Sequence, residues 1–389
     1  MENGSNHPGG CAATPPPLAG NLSGWVILDK HSGVNSRAVG NAVRKLFGAD
    51  TFGHIGTLDP MASGVLVVAL GEATKLISFM AEHPKVYEFS VRFGMRTDTD
   101  DITGRVLEEG GRVPELCEIE AACAKLIGRI MQRPPAYSAV HINGKRAYEL
   151  ARAGACVDMP EREVEVFELD VKKSKQHFSS RRVKSSISGG KTPRSIIYTP
   201  SSFFLAAGRF SLGIAMSLRF FARLFNYTNI PGKAGRGSLT IYPGLRRDDD
   251  NKGEVGFRVK CGTGTYVRSL ARDIAALCGT CATCTSIRRV ESNGFSVENA
   301  ITLEKLQSLV DNQDESVGNT LLPMDFVLGG IPVVNLNSDS AMRFRNGGFV
   351  KIDVGNFEQS LFRVYYNNAF IGIGEFIDEL LRPKKVIKG

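Results

Sequence analysis

The chain has 389 residues, 42% hydrophobic and 23% charged, the balance of a soluble globular protein with room for two or three domains. Its formal charge of +8 is unevenly placed: residues 172–252 hold sixteen Lys/Arg and three Asp, which leaves the rest of the chain at −5. Net charge therefore supports RNA binding only through that segment and excludes a basic surface spread over the whole molecule; elsewhere the argument rests on local chemistry.

Residues 1–22 are rich in Pro, Gly, Asn and Ala and lack the basic start and apolar run of an export signal, which predicts a disordered tail. GWVILDK (24–30) is a short apolar run with a β-branched centre and predicts a strand. HSGVNS turns, and Ser36 is placed to cap a helix carrying Ala38, Val39, Val43 and Leu46. The stretch TFGHIGTLDPMASG leads into VLVVAL (65–70), the pattern of a fully buried strand, and GEATKLISFMAE predicts a helix. VYEFSVRFG (86–94) alternates as a sheet strand and runs into the polar loop MRTDTDDITG. Apolar positions at helical spacing extend over 115–130; Pro134-Pro135 then breaks the chain, Asn143-Gly144 signals a hairpin, and a helix starts near Ala147. EREVEVFELDV (161–171) alternates again as a strand.

The basic segment 172–252 has a different composition. Its apolar centre, 203–225, is interrupted by Arg209, Arg219 and Arg223, which fall within about 80° of one another on a helix. The expectation is an amphipathic helix with a basic stripe, since a central Arg costs a spanning helix several kcal/mol. Beyond it EVGFRVK predicts a strand, GTGTYVRSLARDIAALC a helix and ITLEKLQSLV (301–310) a short helix, and the last sixty or so residues alternate in short runs like a small β-barrel. Eight cysteines, at 11, 117, 123, 156, 261, 278, 281 and 284, are scattered in a way that favours free thiols. Cys278, Cys281 and Cys284 have a metal-like spacing but no fourth ligand follows them; on a helix, steps of three would put all three thiols on one face.

Two segments carry chemistry. In GHIGTLDP the glycines permit close approach of another chain, and Pro60 fixes the backbone after Asp59. On its own this describes a turn whose Asp caps the next segment as well as it describes a reactive carboxylate. GTGTYVRSLARD sets Gly262-x-Gly264 before a helix, but Val267 stands where a dinucleotide fingerprint needs its third glycine. Tyr266 and Arg268 are free to face a polynucleotide, or Arg268 to pair with a buried acid. The sequence contains no Ser/His/Asp triad, Walker motif or HExxH.

GHIGTLDPMASGVLVVALGEATK resembles the signature of the TruB family of pseudouridine synthases. Its companions follow in the family's order: GWVILDKHSGVNS, KVYEFSVRFGMRTDTDD, RPPAYSAVHINGKRAYELAR and CGTGTYVRSLARD, over residues 24–171 and 254–310. FRNGG, RVYYNNAFIGIGE and LRPKKVI resemble a PUA-type RNA-binding barrel. Departures are Lys30-His31 and Asn35-Ser36 where the family usually has Lys-Pro and Thr-Ser, and Ile287 in place of a Leu. The largest is 172–252, an insertion or a gene-prediction artefact where the family has a much shorter connection.

The resemblance implies an α+β fold: a mixed, largely antiparallel central sheet flanked by helices over 23–171 and 253–325, then a small PUA-like β-barrel over 326–389. It implies an isomerase that breaks the glycosidic bond of uridine 55 in the T-arm of tRNA, turns the base and rejoins it through C5, with no cofactor and no metal. Asp59 would be the catalytic carboxylate, attacking C1′ or removing the C2′ proton. Arg268 would pair with it, Tyr87 would stack on the flipped base and suit the proton step at C5, and His54, Tyr266 and Asp101 would support the pocket. Lys30 falls to RNA contact or structure. The resemblance further implies a cytoplasmic monomer with tRNA as partner, no membrane and no obligatory protein partner. Its rivals are a guide-dependent rRNA enzyme of the dyskerin type, a non-catalytic RNA chaperone and, from 203–225 alone, a membrane-associated protein.

Overall fold

The computed structural model describes residues 22–80, 82–172, 254–352 and 360–388. The predicted tail to residue 21, the basic segment from 173 to 253 and its Arg-striped run lie outside the described residues.

In chain order the first strands are β1 (Gly24–Lys30), β2 (Phe52–Ile55), β3 (Ser63–Leu70), β4 (Lys85–Phe93), β5 (Met95–Thr97), β6 (Val106–Glu109) and β7 (Gly128–Gln132). They continue as β8 (His141–Ile142), β9 (Lys145–Arg146), β10 (Arg162–Lys172), β11 (Glu254–Cys261), β12 (Ala282–Ser292), β13 (Phe295–Ser296) and β14 (Ile301–Thr302). The helices among them are α1 (Ser36–Leu46), α2 (Leu116–Lys125), α3 (Ala147–Arg152), α4 (Val267–Leu277) and α5 (Leu303–Asp311). Then come β15 (Val333–Asn335), α6 (Ser338–Arg345), β16 (Val350–Lys351), β17 (Leu361–Tyr366), β18 (Ala369–Ile377) and β19 (Leu380–Val386).

The central sheet has the order β14-β1-β3-β12-β4-β11-β10-β7, with β2 added to β3 and β13 to β12. Its pairings are antiparallel except β1 with β14 and β12 with β3, so the sheet is mixed and largely antiparallel. β3 lies between β1 and β12, which is why its sequence is a continuous apolar run and Val65 through Leu70 are fully buried. On one face α2 and α4 cover Phe89, Val91, Phe257 and Val259, with the Phe89 and Phe257 rings stacked at 5.1 Å. Each such side chain stabilises the fold by roughly 1.5–3 kcal/mol relative to exposure. A second cluster joins Trp25, Val65 and Val67 to Leu328, Ile373 and Ile387 from the C-terminal part. There β15-β17-β18-β19-β16 form a five-stranded sheet packed on Phe344 of α6, the small C-terminal β unit that fits a PUA-like domain.

Four local expectations change. Asn35, not Ser36, caps α1, accepting from the Ala38 N–H; Ser36 is the first helical residue and buries its hydroxyl elsewhere. The helix expected over 115–130 stops at Lys125, because Gly128 takes φ +100 and 128–132 pairs with β10 instead. Residues 71–79 form a 3-10 rather than an α-helix, starting from Leu70 without a side-chain cap. The three clustered cysteines do not share a helix face: Cys278 caps the end of α4 and Cys284 lies on β12, so the chain reverses between them.

Candidate active site

Asp59 sits on the loop between β2 and β3, whose antiparallel ladder ends at Ile55–Val67. The turn after β1 grips this loop at several points. The Ser36 hydroxyl donates to the Leu58 carbonyl and accepts from the Leu58 N–H, at 2.9 and 3.0 Å. The Ser32 hydroxyl donates to Met61 O, and Gly33 N–H donates to Pro60 O. Lys30 is 1% exposed and its ammonium donates to the carbonyls of His31, Val34 and Pro60, at 2.9, 2.7 and 3.3 Å. Burial brings that ammonium down to about 8, against the raising influence of the Asp59 charge. Lys30 is therefore a structural cation that ties the first motif to the second.

Facing the loop is Arg268, in the first turn of α4 and 3% exposed. Its Nε stands 2.9 Å from Asp59 Oδ2, and its Nη1 stands 3.4 Å from Asp101 Oδ2. Nη1 also donates to Thr99 O at 2.8 Å and Nη2 to Tyr137 O at 2.9 Å. The Nε–H does not point along a hydrogen-bond line to any acceptor, so the Asp59 contact is an ion pair held by charge more than by alignment. Asp59 is largely enclosed yet keeps 38% of its side chain open. Burial holds its pKa above the ordinary carboxylate value; Arg268 pulls it down, and the neighbouring Asp101 charge adds to the rise.

Asp101 is buried and faces inward. Its carboxylate accepts from the Thr99 hydroxyl and from the N–H and hydroxyl of Thr103, so it organises the turn at 99–103 and braces Arg268 from the far side. Tyr87, on β4, is buried, which pushes its phenol above the usual range, and the Asp59 charge acts in the same direction. His54 is half-exposed with Nε2 3.2 Å from the Thr57 hydroxyl, and burial together with the Arg289 and Arg37 charges keeps it below the ordinary imidazole value, hence neutral. Tyr266 precedes α4; the Arg162 guanidinium lies over its ring at 4.7 Å, and its backbone N–H and carbonyl pair with the buried Gln132 amide. The structure thus brings Asp59 and Asp101 into direct contact with Arg268, and the Asp59 charge is felt at Tyr87, while the recorded contacts of Tyr266 are with Arg162 and Gln132.

Sequence reading missed several members. Ser36 gave the signal of a helix cap rather than of a loop anchor, and Gln132 gave only its polarity. Ser269 and Arg272 gave a usable signal: with Arg268 they form a polar stripe on an apolar helix. Both donate to the Arg133 carbonyl, at 2.8 and 2.6 Å, which holds the chain just before Pro134-Pro135 against α4. A carboxylate with one open face, fixed against a buried cation beside a buried phenol, can act as nucleophile or base on a group lowered into the cleft.

This fold is that of the pseudouridine synthases. The chain is similar to Cbf5 in the crystal structure of a Cbf5–Nop10–Gar1 complex, with a TM-score of 0.55 and 20% identity, covering 93% of this chain and 84% of that one. Cbf5 in the archaeal box H/ACA sRNP Nop10–Cbf5 complex gives 0.54 and 18%, covering 93% and 85%.

By sequence, the chain belongs to the TruB family of pseudouridylate synthases. The family model for the N-terminal domain matches residues 44–190, and two TruB C-terminal models match 268–329 and 332–387. Among relatives, the tRNA pseudouridine synthase B of Dinoroseobacter shibae is 31% identical over 94% of this chain and 96% of its own length. Those of Chelativorans sp. and Lactobacillus delbrueckii subsp. bulgaricus are 34% and 32% identical, covering 84% and 85% of this chain and 82% and 87% of their own lengths. Among the described residues no helix is long and apolar enough to cross a membrane.

Proposed function

We propose that this chain converts uridine 55 in the T-arm of tRNA to pseudouridine, with Asp59 as the catalytic carboxylate. The observation that carries the reading is the open-faced Asp59 held 2.9 Å from buried Arg268, on the loop whose sequence matches the family. The relatives named as tRNA pseudouridine synthase B support tRNA as the substrate.

A uridine inside a helix or folded loop keeps its glycosidic bond out of reach, so the nucleotide leaves its stack to meet Asp59. The ionised carboxylate attacks C1′ or takes the C2′ proton, the base detaches, turns, and rejoins through C5. Arg268 orients Asp59 and favours its charged form, which burial disfavours. Tyr87 flanks the base and serves the proton step at C5, in which the proton lost from C5 is balanced by one gained at the base nitrogen freed from C1′; neutral His54 meets the RNA from the half-exposed side of the loop. The reaction is redox-neutral and transfers nothing to water, so it calls for no cofactor. Residues 23–171 and 253–325 act as the catalytic domain and 326–389 as a PUA-like RNA-binding domain. The protein works as a cytoplasmic monomer with tRNA as its partner and no obligatory protein partner.

The test is Asp59→Ala assayed on a T-arm transcript by carbodiimide-adduct primer extension. The expected result is no pseudouridine stop at position 55, with tRNA affinity within about threefold of wild type, because the lost group serves the chemistry and not RNA binding. Product formed near the wild-type rate overturns the assignment.

A further inference from the structure

We infer that Arg289 is a positioning residue that closes the neck of the Asp59 loop and so sets where that carboxylate stands. The inference rests on the assignment of Asp59 above. It begins from the Ile287-Arg288-Arg289 run on β12, in which the two arginines have different work. Arg288 grips Asp29 with both terminal nitrogens, at 3.1 and 2.7 Å. Arg289 has 1% exposure; the two hydrogen bonds its guanidinium makes to the backbone end on carbonyls, and its side chain also pairs with the Tyr87 phenol.

Those carbonyls belong to the two ends of the loop. Nη2 donates to Gly56 O at 2.7 Å and Nε donates to Val65 O at 2.8 Å. The β2–β3 ladder stops at Ile55–Val67, so the guanidinium stands just beyond the last rung and joins the two chains where the backbone ladder has ended. A planar fork can span two acceptors in this way, whereas a single ammonium cannot hold the same geometry. Asp59 lies inside the loop so closed.

Two of the motif's three glycines, Gly64 and Gly56, lie against the same arginine, while Gly53 lies against Ile77. Gly64 sits opposite Arg289 in the parallel β12–β3 pairing, with φ +105, and an added Cβ there would collide with the Arg289 carbonyl. Gly56 has φ +64, and a Cβ there would stand 2.9 Å from Arg289 Nη1 and 3.6 Å from the Lys85 Cε. One arginine thus accounts for both glycines, by its backbone at one end of the loop and its side chain at the other. In the antiparallel β12–β4 pairing Arg289 is also the cross-strand neighbour of Tyr87. Its charge is felt locally: burial lowers the proton affinity of His54 and Lys85 and Arg289 lowers it further, while at Tyr87 it opposes the rise that burial imposes.

Arg289→Met keeps the bulk and removes the fork. In the full-length protein, amide hydrogen exchange over peptides covering 53–66 is expected to accelerate about tenfold or more, with exchange in β10 and β11 unchanged. The single-turnover rate on tRNA is expected to fall about 100-fold with Kd for tRNA within about threefold, the signature of a misplaced reacting group. Unchanged exchange over 53–66, or a rate loss matched by an equal loss of affinity, overturns the inference. Should the Met variant not fold, Arg289→Lys answers the same question. Lys holds one carbonyl, so faster exchange at 53–66 and a slower rate are expected, and wild-type values in both would overturn the two-point closure. The exchange readout holds whether or not Asp59→Ala is active, so failure of the catalytic assignment and failure of this inference are separately visible.

Discussion

The interior around Trp25 and the interior around Arg268 are both buried, and they are held by opposite kinds of force. Trp25 belongs to one buried cluster with Val65, Val67, Leu76, Leu328, Ile373 and Ile387, and its indole N–H donates to Met324 O at 2.8 Å. Its backbone exchanges two hydrogen bonds with Leu322, which ties β1 to the segment leading into the C-terminal sheet. Burial of this kind is non-directional, and many neighbours share it. Around Arg268 the contacts are few and specific: directional hydrogen bonds to one carbonyl of Thr99 and one of Tyr137, and charge pairing with one oxygen each of Asp59 and Asp101. The contrast separates stability, which the Trp25 cluster supplies in bulk, from geometry, which the Arg268 cluster supplies contact by contact.

The sharpest way to break that division is Arg268→Lys. An ammonium keeps the charge but cannot reach Thr99 O, Tyr137 O and Asp59 together. The expected loss in single-turnover rate is about 10³-fold, comparable to removing a preorganised electrostatic group. Stability should fall as well, by about 3 kcal/mol, since a buried charge network loses partners. Trp25→Ala should do the reverse. Truncating a fully buried Trp costs about 3–5 kcal/mol in urea unfolding, while the still-folded enzyme should retain its rate within about threefold. If Trp25→Ala slowed the chemistry as much as Arg268→Lys, the two regions would be one mechanical unit and the division would be wrong.

The same contrast explains what the sequence could disclose. GWVILDK and VLVVAL announce buried strands because apolar runs are the direct trace of burial on both sheet faces. The family motifs point to Asp59, Tyr87 and Arg268 because the motifs that carry them follow one another in the family's order. What stays hidden is set by tertiary partners. Residues 128–130 end the run of helical spacing over 115–130 yet pair with β10, since Gly128 at φ +100 ends the helix and the sheet edge offers hydrogen bonds. Ser36 has the chemistry of a cap but spends its hydroxyl on Leu58, because Asn35 already satisfies the helix. Arg268 and Arg289 anchor largely on backbone carbonyls, and a carbonyl acceptor leaves no side-chain signature in the sequence.

The smallest predicted effect tests the sign of the contribution that the Asp59 charge itself makes to stability. Burial raises the pKa of Asp59 more than Arg268 lowers it, so the folded protein keeps this proton to higher pH than the unfolded chain does. Below the unfolded value of about 3.9 both states are protonated and the group leaves stability unchanged. As pH rises through the raised folded value, the carboxylate must ionise in a site that disfavours it, and stability declines. Asp59→Asn should therefore be at least as stable as wild type at pH 7.5, with the difference closing as the pH approaches 4, while forming no product. Urea unfolding at the two pH values measures it. A variant that is less stable at pH 7.5 and recovers on acidification would mean that the Arg268 attraction outweighs burial, and the polar cluster would then stabilise the fold as the Trp25 cluster does. The rate of the wild-type enzyme offers a cross-check on the same proton: its acid limb should lie above the ordinary carboxylate range, because catalysis needs the ionised form that burial disfavours.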